Sequence, residues 1–203
     1  MNLVPLIESD VLNTSSQHII LPTAYFGPIQ YYKVLNSGSD VWIEQYENYQ
    51  KQSLRTRCEI ATSQGKQTLS IPVEGSHGQK CQIKEVRISD HGNWRHLHWN
   101  ALVTAYHESP FFEYYEDDLR PFFEKKWTFL LDFNNEINAK ICELTDINPS
   151  AHLTEKYEGV TLLQEPDEVK PYYQVYQQKT GFIPNLSILD LLFNMGNESI
   201  FYL

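Results

Sequence analysis

The stretch WRHLHWNALVTAYHESPFF, residues 94–112, has the clearest helical pattern in the chain and the densest group of chemically capable side chains. Residues at helical spacing form one predicted face, which comprises Trp94, Leu97, His98, Ala101, Leu102, Ala105 and Tyr106. Pro110 ends the helix, because proline has no N–H to continue the hydrogen-bond ladder. The pattern predicts that His98 points toward the interior or toward a cleft in it.

Composition limits the partners that the protein can have. The chain has 203 residues and a formal net charge of −10, from 16 basic and 26 acidic residues. This balance argues against nucleic acid as a partner and against anionic membrane surfaces, because both need a basic footprint. No apolar run is long enough to span a bilayer and no signal peptide precedes the first strand, so we expect a cytoplasmic protein.

The three cysteines, Cys58, Cys81 and Cys142, are odd in number and widely spaced. They therefore form neither a disulfide framework nor a metal motif, and we expect reduced thiols. Cys58 as a nucleophile has no local signature. His96 and His98 lie two apart on the predicted helix and face different ways, so we predict no metal site.

The sequence patterns of the N-terminal half predict strands and one helix. Residues 1–16 are expected to be a loose arm, followed by a short apolar strand that Pro22 ends. A helix that begins near Pro28 and a strand at 41–43 complete a βαβ-like unit. Residues 57–62 and 68–73 flank a turn, and residues 83–88 predict another strand.

The C-terminal half predicts helices. Asp117 and Asp118 indicate a helix N-terminus, and residues 128–144 have a long apolar stripe. Residues 150–171 are expected to be a surface loop, and Ser187 begins a short helix that is apolar on most sides. Together the patterns predict one α/β domain over residues 1–203, with a mixed β-sheet, the βαβ-like unit and helices packed against the sheet.

Several segments resemble one family in order along the chain. The most specific are WRxLH (94–98), AYxxSPFF (105–112) and FxPNLSxLDLLFNxG (182–196), supported by SDV (39–41) and KxSxxxRxxI (51–60). They resemble the WbqC-like proteins, named for a member encoded among bacterial O-antigen biosynthesis genes. Two departures are the stretch Leu21–Ala24, which replaces a polar opening typical of the family, and Glu47, which stands where the family has an acidic pair. The resemblance implies a bacterial protein of sugar or surface-polysaccharide metabolism.

His98 is the candidate general acid or base, since imidazole titrates near neutrality, and Tyr106 would help to shape the cleft. The alternative for His98 is a core histidine bonded to backbone. The candidate anion-binding residues are Lys33, Lys51, Arg55 and Arg57, whose alternative is a solvated basic face. Arg55 and Arg57 would share one face of a strand. The candidate cleft-lining residues are Tyr46, Tyr49 and Trp94, whose alternative is ordinary packing.

Asp190 falls inside the apolar C-terminal helix and needs a partner, because an unpaired buried carboxylate is costly. A structural lock with Asn185 is favoured over a catalytic role. Two functional hypotheses follow for the whole chain. The first is group transfer on a phosphorylated or nucleotide-activated sugar, with an anionic small molecule as ligand. The second is a non-catalytic binding or assembly module that keeps the fold, motivated by the altered stretch Leu21–Ala24. The sequence specifies no cofactor.

Overall fold

The computed structural model describes residues 18–75, 80–148, 151–163 and 169–203. The strands of this part are β1 (Ile19–Pro22), β2 (Val41–Glu44), β3 (Arg57–Thr62), β4 (Gly65–Ser70) and β5 (Ala151–Leu153). Its α-helices are α1 (Ile29–Leu35), α2 (Trp94–Tyr106), α3 (Phe112–Leu119), α4 (Pro121–Glu124), α5 (Leu130–Leu144), α6 (Gln177–Thr180) and α7 (Ile188–Met195). The predicted arm at 1–16 lies outside the described residues. None of the helices in these ranges has the length and apolarity needed to cross a bilayer.

The α/β class, the βαβ unit and the packed helices are confirmed. β1 and β2 pair in parallel, with Ile19 opposite Val41, and β5 pairs in parallel with the other edge of β2. β3 and β4 form a separate antiparallel ribbon, so parallel and antiparallel pairing are divided between two sheets. One hydrophobic cluster extends along the chain from Leu21 to Phe193 and joins both sheets to the helices.

Three local predictions are wrong. Residues 83–88 form a 3₁₀ turn at Ile83–Glu85 and isolated bridges, because the buried Ile83 and Val86 lie three residues apart. Asp117 and Asp118 lie in the last turn of α3, whose register is set by the buried Phe112, Tyr115 and Leu119. Residues 151–153 of the expected surface loop form β5, since backbone pairing with β2 outweighs their weak apolar pattern.

The two strongest helical patterns are confirmed, with one exception. α2 buries Trp94, His98, Leu102, Ala105 and Tyr106. Leu97, however, is 59% exposed, because it lies at the solvent edge of the predicted face. α7 is buried from its first residue to its seventh, and the Ser187 hydroxyl accepts a hydrogen bond from the Leu189 N–H.

Gly196 ends α7 in a conformation that strongly favours glycine, with φ of 56° and ψ of −133°. A Cβ at this position would lie 2.6 Å from Cδ1 of Phe111. The Phe111 N–H also donates to the Phe193 carbonyl oxygen, at 3.0 Å. The junction between α2 and α3 is therefore packed directly against the end of α7.

We expect Gly196→Ala to lower the free energy of unfolding by about 2–5 kcal/mol, because backbone strain and overpacking act together. Urea denaturation measures this loss. Gly38→Ala is the matched control, since Gly38 also has a positive φ of 74° but nothing within 4 Å of an added Cβ. The control should lose only about 1–2 kcal/mol. Equal losses in the two variants would show that Phe111 does not constrain the turn.

Candidate functional site

The outer face of the β3–β4 ribbon forms the floor of the candidate site. The antiparallel register places Arg57 opposite Ser70 and Glu59 opposite Thr68, so these four side chains share one face. Cys58, Ile60 and Leu69 alternate with them and are buried on the opposite face. One face of the ribbon is thus polar, and the opposite face packs against the hydrophobic core.

A cavity of about 500 Å³ lies over the Arg57 end of this face, and we name it the basic cavity. Its lining residues are Tyr49, Lys51, Gln52, Thr56, Arg57, Ser70, Ile71, Val73, Glu74 and Gly75. The Glu74 carboxylate forms an ion pair with Arg87, which does not line the cavity, and the Arg87 Nε lies 3.6 Å from it. Lys51 and Arg57 therefore give the cavity an excess of positive charge within an acidic protein.

Arg57 is half-buried, and its Nε atom is buried without a hydrogen-bond partner among the described residues. It also forms no ion pair with any residue in the described ranges. A buried donor without an acceptor is costly, and the cost is higher when the group is charged. A ligand oxygen at this position would remove that cost.

Arg55 lies in a different environment. It precedes β3, is only 4% exposed and forms a two-contact ion pair with Glu47, including Nε to Oε1 at 2.6 Å. Its backbone carbonyl accepts a hydrogen bond from the Asn134 amide at 2.9 Å. Arg55 and Arg57 do not share one strand face, because Arg55 turns inward before the strand begins. The pair neutralises Arg55 and fixes the loop that carries Lys51.

The predicted cleft residues are divided between the cavity and the rest of the fold. Tyr49 lines the basic cavity. Tyr46 lies beneath the Lys84 ammonium, 4.1 Å from the ring centroid. Trp94 is buried, and its ring packs against His98 at 5.2 Å between centroids. Lys33 lies half-buried on α1 and does not line the basic cavity. The basic cavity thus brings together Tyr49, Lys51 and Arg57.

His98 lies beneath the ribbon. Its Nδ1 is 2.9 Å from the Tyr25 hydroxyl, and it makes a hydrogen bond with the Ser70 backbone. Burial lowers the pKa of His98 to about 4, although the bond to Ser70 opposes that shift. The imidazole is therefore neutral at neutral pH. It does not line the basic cavity, but Ser70 does, so one residue separates the ring from the cavity.

Tyr106 is fully buried in a network centred on Asp190. Its hydroxyl donates to Asp190 Oδ1 at 2.9 Å and accepts from the Ala61 N–H at 3.1 Å. Asp190 Oδ2 accepts from the Tyr172 hydroxyl at 2.5 Å and from the Gln174 amide at 2.9 Å. The network therefore joins β3, α2, the segment at 172–174 and α7.

Among the described residues, Asn185 makes no hydrogen bond to Asp190. Its Oδ1 accepts from the Gln30 N–H at 3.0 Å, which ties the start of the α7 segment to α1. Asn185 and Asp190 thus fix the same C-terminal segment through different partners.

Sequence reasoning missed Gln52, Thr56 and Ser70 in the cavity lining. Ser70 could have been found from the hairpin itself, because a two-residue loop at 63–64 pairs residue 57 with residue 70. Gln52 and Thr56 had no comparable signal. They belong to an irregular loop whose course depends on the Arg55–Glu47 pair.

We expect the Asp190 carboxyl to make the protein less stable as the pH rises from about 4 to about 7. Burial raises its pKa to about 6, against the hydrogen bonds from Tyr172, Tyr106 and Gln174. The unfolded value is about 3.9, so the folded protein holds a proton that the unfolded chain has already lost. The bound proton stabilises the folded state fully below the unfolded pKa. This stabilisation, about 3 kcal/mol, is lost as the pH rises through the folded pKa.

Urea denaturation of wild type and Asp190→Asn at both pH values measures this effect. Wild type should lose about 3 kcal/mol relative to the variant, which has no carboxyl to titrate. Asp117→Asn, at an exposed position of α3, controls for the removal of one negative charge. A stability difference between wild type and Asp190→Asn that stays constant over this range would contradict the assignment.

The comparisons with known proteins agree with the motifs. The sequence model of the WbqC-like protein family matches residues 23–168 and 159–202. The chain is also similar to a protein of Mycobacterium tuberculosis (strain ATCC 25618 / H37Rv) named "Uncharacterized protein Rv1507c". The two are 29% identical over 193 residues, which cover 76% of this chain and 83% of that protein. No solved structure matches the chain significantly. Since the family match extends over most of the sequence, the protein belongs to the WbqC-like protein family.

Proposed function

We propose that this WbqC-like protein binds a small anionic ligand of the phosphorylated or nucleotide-activated sugar class in the basic cavity. The observation that carries the proposal is the Arg57 guanidinium, whose buried Nε has no partner among the described residues. A phosphate oxygen is a suitable acceptor, because charge-assisted hydrogen bonds are roughly twice as strong as neutral ones. Lys51 supplies a second positive charge in the same lining.

The surrounding residues support a selective role for Arg57. Arg55, two residues earlier, is already paired with Glu47 and is buried, so its charge is not available to a ligand. Lys51 is an exposed residue of the same lining, and its long, flexible side chain can bring the ammonium to an anion. A half-buried guanidinium and an exposed ammonium in one lining form an arrangement suited to phosphate binding.

Two forms of this proposal differ in the role of His98. In the catalytic form the protein performs group transfer on the bound sugar derivative, which would suit a role in sugar or surface-polysaccharide metabolism, and His98 moves a proton. In the binding form the protein is a non-catalytic module. The binding form has more direct support, because the imidazole is buried between Tyr25 and Ser70 and outside the cavity lining.

Replacing either cation of the basic cavity should weaken the binding of inorganic phosphate and of UDP-glucose. We expect Arg57→Met to weaken binding by roughly tenfold to a hundredfold, since hydrogen bonds to charged groups contribute about 1.5–3 kcal/mol. Lys51→Met should have a smaller effect, because its ammonium is exposed. Isothermal titration calorimetry at constant ionic strength measures these affinities.

Lys179→Met is the matched control for Lys51→Met. Lys179 is an exposed lysine on α6 that does not line the basic cavity, and its replacement changes the net charge by the same amount. Equal affinities in Arg57→Met, Lys179→Met and wild type, with all three proteins folded, would refute anion binding at this cavity.

His98→Gln distinguishes the two forms. We expect it to keep wild-type affinity for phosphate, because His98 lies behind Ser70, and to lose about 1–3 kcal/mol of stability through its buried hydrogen bonds. Calorimetry and urea denaturation measure the two effects, and Tyr25→Phe controls for the loss of the bonded hydroxyl.

The turnover of UDP-glucose, followed by phosphorus NMR, then assigns the form. Turnover in wild type that is absent in a folded His98→Gln protein supports group transfer. A loss of phosphate affinity in that variant would contradict the position of His98 outside the cavity.

A further inference from the structure

We propose that a second cavity next to the basic cavity holds the uncharged, hydroxyl-bearing ring of the same ligand. This inference rests on the proposed function and assigns the sugar end of the molecule. The second cavity, which we name the Asn185 cavity, has a volume of about 290 Å³. The lining residues that matter here are Pro28, Ser53, Leu54, Glu59, Thr68 and Asn185.

Arg57 and Gln52 line both cavities, so the two spaces meet at these side chains. Along the ribbon, the pair Arg57–Ser70 lies at the basic cavity and the pair Glu59–Thr68 continues toward the Asn185 cavity. If the phosphate group of a ligand binds Arg57 in the basic cavity, the rest of the ligand can extend along the ribbon face into the Asn185 cavity. One ligand can occupy both spaces with Arg57 at the junction.

The charge of the Asn185 cavity favours a neutral group. Glu59 lines it and is paired with Lys66, whose Nζ lies 2.7 Å from the carboxylate. Arg57 is the cation of this lining, so the cavity lacks the positive excess of the basic cavity. A second anionic group beside the Glu59 carboxylate would be repelled, whereas a hydroxyl could donate to it.

The other polar groups of the lining suit sugar hydroxyls. Ser53 and Thr68 carry hydroxyls, and Gln52 carries an amide, so each can both donate and accept hydrogen bonds. Sugar hydroxyls have the same dual capacity. Pro28 and Leu54 add apolar surface against which the C–H face of a ring can pack. The volume lies near the lower end of the roughly 300–1,000 Å³ of ligand pockets, which fits one ring better than a nucleoside diphosphate.

The backbone around this cavity is held in uncommon conformations. Phe26, Gln52 and Asn185 have positive φ values of 41°, 57° and 52°, and all three line the Asn185 cavity. Such conformations persist only where the surrounding structure enforces them, and they concentrate at ligand-binding sites. Here the Ser187 hydroxyl donates to the Phe26 carbonyl at 2.9 Å, which links the two chain segments of one wall. This wall of the cavity is therefore held by a contact within the protein.

Calorimetry with inorganic phosphate and with the 1-phosphates of glucose, galactose and mannose tests the inference. Wild type should bind at least one hexose 1-phosphate about tenfold or more tightly than inorganic phosphate, because the ring adds contacts. Thr68→Val should weaken the binding of that hexose phosphate by about threefold to tenfold and leave the affinity for inorganic phosphate unchanged. Thr68 is exposed on a strand, so valine should be tolerated there.

Thr104→Val is the matched control, since Thr104 is an exposed threonine on α2 that lines neither cavity. Phosphate binding that depends on Arg57 without any advantage for a hexose 1-phosphate would overturn this inference and leave the proposed function standing. If wild type prefers a hexose 1-phosphate over inorganic phosphate and Thr68→Val does not reduce this preference, the sugar ring does not bind in the Asn185 cavity and the inference is overturned. If neither phosphate nor any hexose phosphate binds wild type, both the proposed function and this inference fail.

Discussion

The buried Asp190 carboxylate is the interaction on which the rest of the structure depends. It accepts hydrogen bonds from Tyr106 on α2 and from Tyr172 and Gln174, and the Tyr106 hydroxyl in turn accepts from the Ala61 N–H of β3. One carboxyl group therefore joins α7, α2 and the β3–β4 ribbon through hydrogen bonds. Because the floor of the candidate site lies on the β3–β4 ribbon, its geometry depends on a polar network formed outside the site.

The same arrangement gives two neighbouring arginines opposite roles. Arg55 is buried against Glu47 and stabilises the loop, whereas Arg57 emerges on the outer face of β3 with its Nε unpartnered among the described residues. An arginine without an ion pair is unusual in a protein with a net charge of −10, because acidic groups are abundant enough to pair with it. The Asn185 cavity beyond Arg57 extends the polar face toward the C-terminal segment, so residues from distant parts of the chain contribute to one ligand-sized surface.

Much of this fold can be predicted from sequence, because α2 and α5 carry apolar residues at helical spacing, α7 is apolar on most sides, and residues 37–40 mark the turn between α1 and β2. The polar lock at Asp190 follows from one carboxylate in an apolar helix, although Tyr106, Tyr172 and Gln174 could not be named as its partners. The site was less predictable. Lys51 and Arg57 can be recognised by their charge, but nothing in the sequence shows that Arg55 turns inward, since that depends on an ion pair with Glu47 in an irregular loop. Helical periodicity also cannot tell a core histidine from a cleft histidine, and His98 contacts Tyr25 and the Ser70 backbone.

The most direct test of the account is an NMR titration that observes the Nε–H groups of arginine side chains as inorganic phosphate is added. Arg57 should show a large, saturable shift of its Nε–H resonance, because a phosphate oxygen would become its hydrogen-bond acceptor. The Arg55 resonance should remain in place, since Glu47 already accepts from that group. A spectrum in which Arg57 does not respond to phosphate, or in which both arginines shift equally, would contradict the assignment of Arg57 as the anion-binding residue.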